Sequence, residues 1–256
     1  MNMTQDNRED VLQSVETSLE QAWSLFQEVQ DYIGETRTMA TEVPDFHQRA
    51  LEIVPDPQQQ AADALHRVSL SQIAHMVTNC SLCALGSTRT HAVPGEGVAN
   101  ARLMVIGEGP GAEEDRTGRP FVGKAGKYLD SWLTAIGLDR STNVFIANIV
   151  KCRPPENRDP LPQEAQACIP YLKRQIALVK PDGILCVGKV AAHFLLGRED
   201  ALHALRGTIH RFEGLPVVVT YHPAAVLRNL QLRGPVWEDL KRTANVLNLP
   251  VPNSGR

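Results

Sequence analysis

A glycine-rich stretch between Gly107 and Gly126 contains a cluster of acidic residues with the chemistry of an active site. It reads GEGPGAEEDRTGRPFVGKAG and directly follows the apolar run at 103–106. Four carboxylates lie near its start: Glu108, Glu113, Glu114 and Asp115. A turn of this kind exposes backbone N–H groups that can bind an anion, and a carboxylate beside them can act as a general base. The stretch therefore predicts an active site at the end of a buried strand.

Four of the five cysteines form two pairs that could bind a metal. Cys80 and Cys83 form a Cys-x-x-Cys turn, and Cys152 and Cys168 flank a fifteen-residue loop. Four thiolates suit either zinc or an iron–sulfur cluster, and the spacing leaves both open. If Cys152 and Cys168 were core residues, only the first pair would remain. Cys186 lies inside an apolar run, and we interpret it as a core residue.

Apolar runs that alternate with helical stretches must position these side chains. A short helix is predicted at 69–78. The predicted strands are 103–106, 144–150, 183–187 and 217–221, and the predicted helices that follow them are 124–136, 163–179, 189–196 and 235–247. Alternation of this kind predicts a three-layer α/β/α fold with a central, mostly parallel four-stranded sheet. Right-handed crossovers then bring the carboxyl ends of the strands to one edge, where a ligand crevice is expected.

Charge divides the chain into two parts. Residues 1–70 hold thirteen Asp and Glu and four Arg, a net charge of -9, whereas the whole chain carries -3, so residues 71–256 carry +6. Apolar positions spaced by three and four over about 10–33 predict an amphipathic helix, and a Pro- and Gln-rich linker follows. We expect an acidic N-terminal extension at 1–70 and a catalytic domain at 71–250. The apolar face of the helix needs a partner surface, on the core domain or on another protein.

The composition excludes some classes of protein. No run of eighteen apolar residues occurs, and the first residues have neither the basic start nor the apolar segment of a signal peptide. We therefore expect a cytoplasmic protein with no membrane span, whose thiols stay reduced and available to a metal. A basic core domain is suited to binding phosphates.

Five separated motifs resemble those of the iron–sulfur uracil-DNA glycosylases of family 4. They are Cys-x-x-Cys at 80–83, GEGPG at 107–111, GRPFVGKAG at 118–126, NIVKCRPPENR at 148–158 and HPAAVLRN at 222–229. The match covers about residues 72–247. It implies base excision repair by a monofunctional enzyme. Such an enzyme flips uracil out of DNA and hydrolyses the N-glycosidic bond, which leaves free uracil and an abasic site. It also implies a structural [4Fe–4S] cluster, with zinc as the alternative, on four ligands: Cys80, Cys83, Cys152 and Cys168.

The same resemblance implies roles for side chains in the pocket. Phe121 is expected to stack on the flipped base, and Asn148 to offer one donor and one acceptor that match O4 and N3–H of uracil. Glu108 is expected to position the hydrolytic water or to offset positive charge on the sugar, with Asp115 as a supporting carboxylate. The leaving base is expected to receive hydrogen bonds at O2 from His222 and from backbone N–H groups at Gly109 and Gly111.

Further expectations concern the rim of the pocket. Glu114 is expected to crowd the C5 edge of the base and exclude the methyl group of thymine. The segment at 224–229 resembles a loop that enters the minor groove, with Leu227 or Arg228 filling the gap left by the flipped base and Asn229 beside them. The family commonly has proline after this loop, whereas this chain has Leu230.

Two other functions are compatible with parts of the sequence. Residues 107–112 fit a loose dinucleotide-binding fingerprint, but Pro110 removes an N–H that a pyrophosphate would use. No acidic residue ends a second strand about twenty residues later, so we expect no nicotinamide cofactor. The other alternative is a non-catalytic four-cysteine module that binds DNA, and a turnover assay distinguishes it from an enzyme.

Overall fold

The computed structural model describes residues 68–250, and the predicted N-terminal helix lies outside them. The strands are β1 (Glu96–Gly97), β2 (Leu103–Gly107), β3 (Val144–Asn148), β4 (Gly183–Val187), β5 (Ile209–Phe212) and β6 (Leu215–Thr220). They form one sheet in the order β1-β3-β2-β4-β6-β5. The four central strands are parallel, as predicted, and β1 and β5 pair antiparallel at the two edges.

Helices connect the strands. They are α1 (Leu70–Thr78), α2 (Leu85–Thr88), α3 (Ala112–Thr117), α4 (Lys124–Ala135), α5 (Pro162–Val179), α6 (Lys189–Leu196), α7 (Leu202–Leu205), α8 (Pro223–Arg228) and α9 (Arg233–Val246). The described part of the chain also has 3₁₀ turns at Pro155–Asn157 and Leu230–Leu232. Within residues 68–250, none of the helices is long and apolar enough to cross a bilayer.

The sheet is covered on both faces, which confirms the three-layer arrangement. Along β2, Met104 and Ile106 belong to one buried cluster with residues of α5 and α6, whereas Leu103 and Val105 belong to a second cluster with residues of α4 and α9. This alternation follows from the two-residue period of a strand. Each of β2, β3 and β4 has five residues, and all of them are buried. This explains why the three strands could be predicted from apolar runs in the sequence.

The sheet has six strands rather than the four that were predicted. β1 has only two residues, and β5 alternates between exposed and half-buried positions. Neither strand therefore produces the apolar run by which a buried strand is recognised. β3 ends at Asn148, two residues before the predicted end.

The strand order places a crevice at the carboxyl end of β2. The chain passes from β2 to its neighbour β3 on one side and later returns to β4 on the other side. Connections that leave the sheet in opposite directions open a gap at this point, which is the usual ligand site of parallel α/β sheets. Gly107 at the end of β2 lies directly opposite Asn148 at the end of β3. His222 follows the end of β6 and caps α8.

Candidate active site

A cavity of about 430 Å³ opens at the carboxyl ends of the central strands. Eight of the predicted site residues line it: Glu108, Gly109, Gly111, Glu114, Phe121, Asn148, His222 and Arg228. They come from four separate stretches of the chain, and the parallel sheet brings them together as the motif order predicted.

Asn148 has an unpaired side-chain oxygen and lines this cavity. The residue is only 1% exposed, and among residues 68–250 no group hydrogen-bonds its Oδ1. A Cβ at Gly107 would lie 2.5 Å from this oxygen and 2.6 Å from Cζ of Phe121, so glycine is required there for the two side chains to approach each other. A buried polar group without a partner costs about 1–3 kcal/mol. Such a group marks a place where a ligand is expected to supply the missing hydrogen bond.

Phe121 is held in an uncommon backbone conformation. Its φ is 52°, in the left-handed region that costs a non-glycine residue about 1–2 kcal/mol. A Cβ at Gly126 would lie 1.9 Å from the Phe121 carbonyl oxygen, so only glycine fits against this loop. The aromatic ring lies 5.7 Å from the imidazole of His222, measured between centroids, with 33° between the planes. The loop thus fixes an aromatic face beside a histidine.

Two charged side chains hold the Phe121 loop from opposite sides. Arg140 donates from Nη2 to the Phe121 carbonyl at 2.8 Å and from Nη1 to the Pro120 carbonyl at 3.1 Å, while its Nε donates to Asp130 at 2.7 Å. From the cavity side, Oε1 of Glu114 accepts from the backbone N–H groups of residues 122 and 123 at 2.9 and 3.0 Å. The Glu114 carboxylate therefore orders the loop as well as lining the cavity.

Arg140→Met should lower kcat/KM for the reaction of this site about tenfold while leaving the protein folded. Loss of the two carbonyl contacts releases a loop whose strained conformation is worth about 1–2 kcal/mol, which corresponds to roughly a tenfold change in rate. Steady-state kinetics and circular dichroism would measure the two effects. Arg198→Met removes an exposed ion pair with Asp200 instead and serves as the control. An equal loss in both variants would contradict a specific role for Arg140.

His222 is neutral at physiological pH. Burial, and then the nearby Arg228 guanidinium, lower its pKa to about 4, against an opposing effect of Glu114. Its Nδ1 accepts the backbone N–H of Ala224 at 3.2 Å, which leaves the single ring proton on Nε2. Gly188 has φ of 102° and a Cβ there would lie 3.3 Å from Cβ of His222, so β4 and the histidine pack closely only with glycine. The site thus contains a fixed, uncharged hydrogen-bond donor.

Glu108 is poised to exchange a proton near neutral pH. Burial, and secondly the negative charge of Asp159, raise its pKa to about 7. A carboxylate with a pKa near the working pH is suited to general-base catalysis, because it is sufficiently ionised and still accepts a proton readily. Asp159 also lines the cavity and was not predicted from the sequence.

A family model described as the Uracil DNA glycosylase superfamily matches residues 94–241. This chain belongs to the uracil-DNA glycosylase superfamily. It is 44% identical to a type-4 uracil-DNA glycosylase of Pyrobaculum aerophilum, over 68% of this chain and 92% of the relative. Type-4 uracil-DNA glycosylases of Archaeoglobus fulgidus and Thermotoga maritima are 40% and 41% identical, over 72% and 68% of this chain and 96% and 93% of the relatives. The family resemblance predicted from the five motifs is confirmed.

Asp115 does not line the cavity. This residue is buried, and its Oδ1 accepts from the backbone N–H of Thr90 at 2.9 Å and of His91 at 3.4 Å. The carboxylate therefore ties the 90–91 segment to α3. Asp115 does not contact the crevice in which it was predicted to support Glu108.

The structure adds to the site a segment for which the sequence predicted no role in the pocket. Asn157, Arg158 and Asp159 line the cavity from the loop after β3. Arg158 forms a bidentate pair with Glu164 at 2.7 and 2.8 Å, which anchors the loop to the first turn of α5. Glu156 and Asn157 both have φ of 55°. The polar ENRD sequence at 156–159 was the available signal, but its backbone path could not be predicted.

The segment at 224–229, predicted to be a loop that enters DNA, is instead the short helix α8 with Asn229 at its end, and it lies beside this cavity. Leu227 is 43% exposed and Leu230 is 54% exposed, whereas Arg228 lines the cavity itself. The side chain of Asn229 accepts the backbone N–H of Gln231 at 3.1 Å and caps the following 3₁₀ turn. In this chain the Asn229 cap orders the position at which the family commonly has proline.

The four cysteines predicted as metal ligands line a second, smaller cavity: Cys80, Cys83, Cys152 and Cys168. The first two are half-buried and the last two are buried, and Arg89 donates from Nη1 to Sγ of Cys152 at 3.0 Å. Among residues 68–250, His, Cys, Asp and Glu side chains form no group of three that could hold a metal ion. Cys186 is fully buried in β4, within the main apolar cluster, as predicted.

Proposed function

We propose that this protein is a monofunctional DNA glycosylase that hydrolyses the N-glycosidic bond of uracil in DNA, releasing free uracil and leaving an abasic site. The observation that carries the proposal is the buried, unpaired amide oxygen of Asn148 in a cavity that Phe121, His222 and Glu108 also line. The names of the type-4 relatives support the same activity.

Base recognition follows from the shape and polarity of the cavity. An extruded base would stack on Phe121, which is rigidly held, and present its Watson–Crick edge to Asn148. The amide oxygen would accept N3–H of uracil and the amide nitrogen would donate to O4. Cytosine offers an acceptor at N3 and a donor at N4, so both contacts would be mismatched. Each buried group left unpaired costs about 1–3 kcal/mol, which is enough to exclude the normal base.

Bond cleavage requires groups that stabilise charge of both signs. As the C1′–N1 bond breaks, positive charge develops on the sugar and the electron pair moves onto the base, largely at O2. The Nε2–H of His222 and the backbone N–H of Gly109 would donate to this oxygen. Glu108 would take a proton from the water whose oxygen bonds to C1′. A neutral histidine suits this task because it donates a hydrogen bond without first having to lose or gain a proton.

Activity should rise with pH through about 7, following the pKa of Glu108, and should show no step near 6.5 from His222. The Glu108 carboxylate is the active form, so protonation below its pKa removes the base, whereas His222 stays neutral above about 4. Single-turnover rates between pH 5 and 9 would measure the profile. In Glu108→Gln the rate should fall and the step near 7 should vanish. A variant that kept the step would show that another group titrates.

Leu227→Ala should weaken excision from duplex DNA about tenfold and leave excision from single strands unchanged. An exposed apolar side chain beside the cavity can fill the gap that the flipped base leaves in the stack. This contact offsets at most the cost of unstacking, a few kcal/mol per step, and it exists only in a duplex. Rates on the same sequence in the two forms would measure it. An equal loss on both substrates would contradict the assignment.

We also infer that Cys80, Cys83, Cys152 and Cys168 hold a structural [4Fe–4S] cluster. The all-sulfur donor set around one cavity supports this assignment, as does the cation at Cys152, because N–H···S contacts stabilise ligand thiolates. When bound, the cluster would join the segment before α2 to the segment after β3. Its ligands line a cavity separate from the base cavity, so it would not contact the base or the sugar.

Release of uracil from labelled single-stranded and U·G duplex oligonucleotides tests the proposed function directly. Purified, metal-replete protein without added nucleotide should release uracil catalytically from both. Matched oligonucleotides with thymine or cytosine at the same position should remain intact. Tight DNA binding without release would instead identify a non-catalytic module.

A further inference from the structure

Lys151 is a fully buried lysine that hydrogen-bonds the base-reading residue. Its side chain is 1% exposed, and Nζ donates to the Asn148 carbonyl oxygen at 2.9 Å and to Oε1 of Gln175 at 2.7 Å. Gln175 in turn donates from Nε2 to the Pro94 carbonyl at 2.7 Å. Neither acceptor of the ammonium carries a charge. The contact fixes the last residue of β3, at the point where the chain leaves the sheet.

The same lysine also belongs to the four-cysteine cavity. It lines that cavity together with Cys80, Cys83, Cys152 and Cys168. It directly precedes Cys152 in the chain. Lys151 therefore touches both the sulfur site and Asn148.

The charge of Lys151 calls for a negative partner. A buried ammonium is costly unless it is paired, and hydrogen bonds to neutral carbonyl and amide oxygens satisfy its protons without offsetting its charge. Four thiolates outweigh the positive charge of an iron–sulfur core, so a loaded site is a net anion beside this cation. The sulfur site can thus hold the ammonium in place, and the ammonium holds the end of β3.

We propose that Lys151 is a positioning residue that couples the four-cysteine site to the orientation of Asn148. This inference rests on the proposed function. According to this proposal, the sulfur site has a second role besides stabilising the fold. A loaded site keeps the end of β3, and with it the Asn148 amide, in the orientation that binds the base. Lys151 does not touch the substrate and acts only through Asn148.

The test compares Lys151→Met with Arg89→Met. Met keeps the length of the lysine stem and removes the ammonium. Arg89 lines the same sulfur cavity and donates to Cys152, but its other side-chain contact is the Thr78 carbonyl in α1, so it does not reach β3. Cluster content would be measured by visible absorbance, iron and sulfide. Base reading would be measured by the inhibition constant of free uracil and by kcat and KM, expressed per loaded molecule.

Loaded Lys151→Met should bind free uracil at least about tenfold more weakly and lose kcat with little change in KM for DNA, in line with the 10–100-fold cost of removing an outer-sphere contact. Arg89→Met should lose its cluster faster than wild type, but its loaded fraction should bind uracil normally. Unchanged uracil inhibition in loaded Lys151→Met would overturn the inference.

A second variant covers the case in which Lys151→Met does not fold. Gln175→Leu removes the other acceptor of the ammonium and keeps the charge, so it should raise the uracil inhibition constant in the same direction by a smaller factor. No rise would overturn the coupling. A wild-type protein that released no uracil would instead refute the proposed function, so the two failures are distinguishable.

Discussion

Replacing Asn148 with alanine should lower kcat/KM for uracil release about 10²–10³-fold, the usual cost of removing a preorganised hydrogen-bonding group from an active site. The substitution removes both the donor and the acceptor that face the base. It should not unfold the protein, because the Asn148 side-chain oxygen has no partner among the described residues and its loss removes an unsatisfied polar group. Single-turnover kinetics and thermal unfolding would measure the two effects.

The matched control for this variant is Asn245→Ala. Asn245 is exposed on α9, and its replacement should leave kinetics and stability close to wild type. The Asn148 assignment would be wrong if Asn148→Ala kept both the full rate and the preference for uracil over cytosine. A loss of rate with a collapsed unfolding transition would indicate a structural role instead.

Cys152→Ala should abolish metal binding and lower the free energy of unfolding by more than about 4 kcal/mol, as expected when a structural metal is lost. Cys152 is buried and lines one cavity with the other three cysteines, and its Sγ accepts from Arg89, which would lose one of its two side-chain acceptors. Iron and sulfide analysis and urea unfolding would measure the loss. Soluble yield should fall as well.

Cys186→Ala provides the control for a buried cysteine outside the sulfur site. It removes the same atom from the interior of β4, where the thiol only packs against apolar neighbours. Metal content should be unchanged and the loss of stability small. Retention of the metal in Cys152→Ala, or its loss in Cys186→Ala, would refute the ligand assignment.

The central strands and the residues at their ends could be predicted because both follow short-range rules. Fully buried parallel strands produce continuous apolar runs, and the residue that follows such a run must lie at the edge of the sheet. This reasoning located Glu108 and His222, whereas Asn148 lay inside the predicted strand at 144–150 and was singled out by the family resemblance. It missed the edge strands, since two residues at β1 and a half-exposed β5 carry no such signal.

The remaining features depend on contacts between distant parts of the chain. Glu114 and Asp115 are adjacent, but successive residues of a helix point about 100° apart, so only the first faces the cavity. The path of the 156–159 loop depends on two left-handed residues and on the Arg158–Glu164 pair. Arg140 reaches the Phe121 loop from nineteen positions away, which no local pattern indicates.

The close packing around Phe121 has a consequence for the evolution of this pocket. Positions 107 and 126 contribute no functional group, yet a single methyl at either would collide with Asn148 or with the Phe121 backbone. We therefore expect sequence drift at these two sites to be as restricted as at the polar residues of the cavity. A mutant library that preserved every polar side chain of the cavity but varied these two glycines would lose the pocket. Selection therefore acts on the absence of a side chain at positions 107 and 126 as well as on the polar groups.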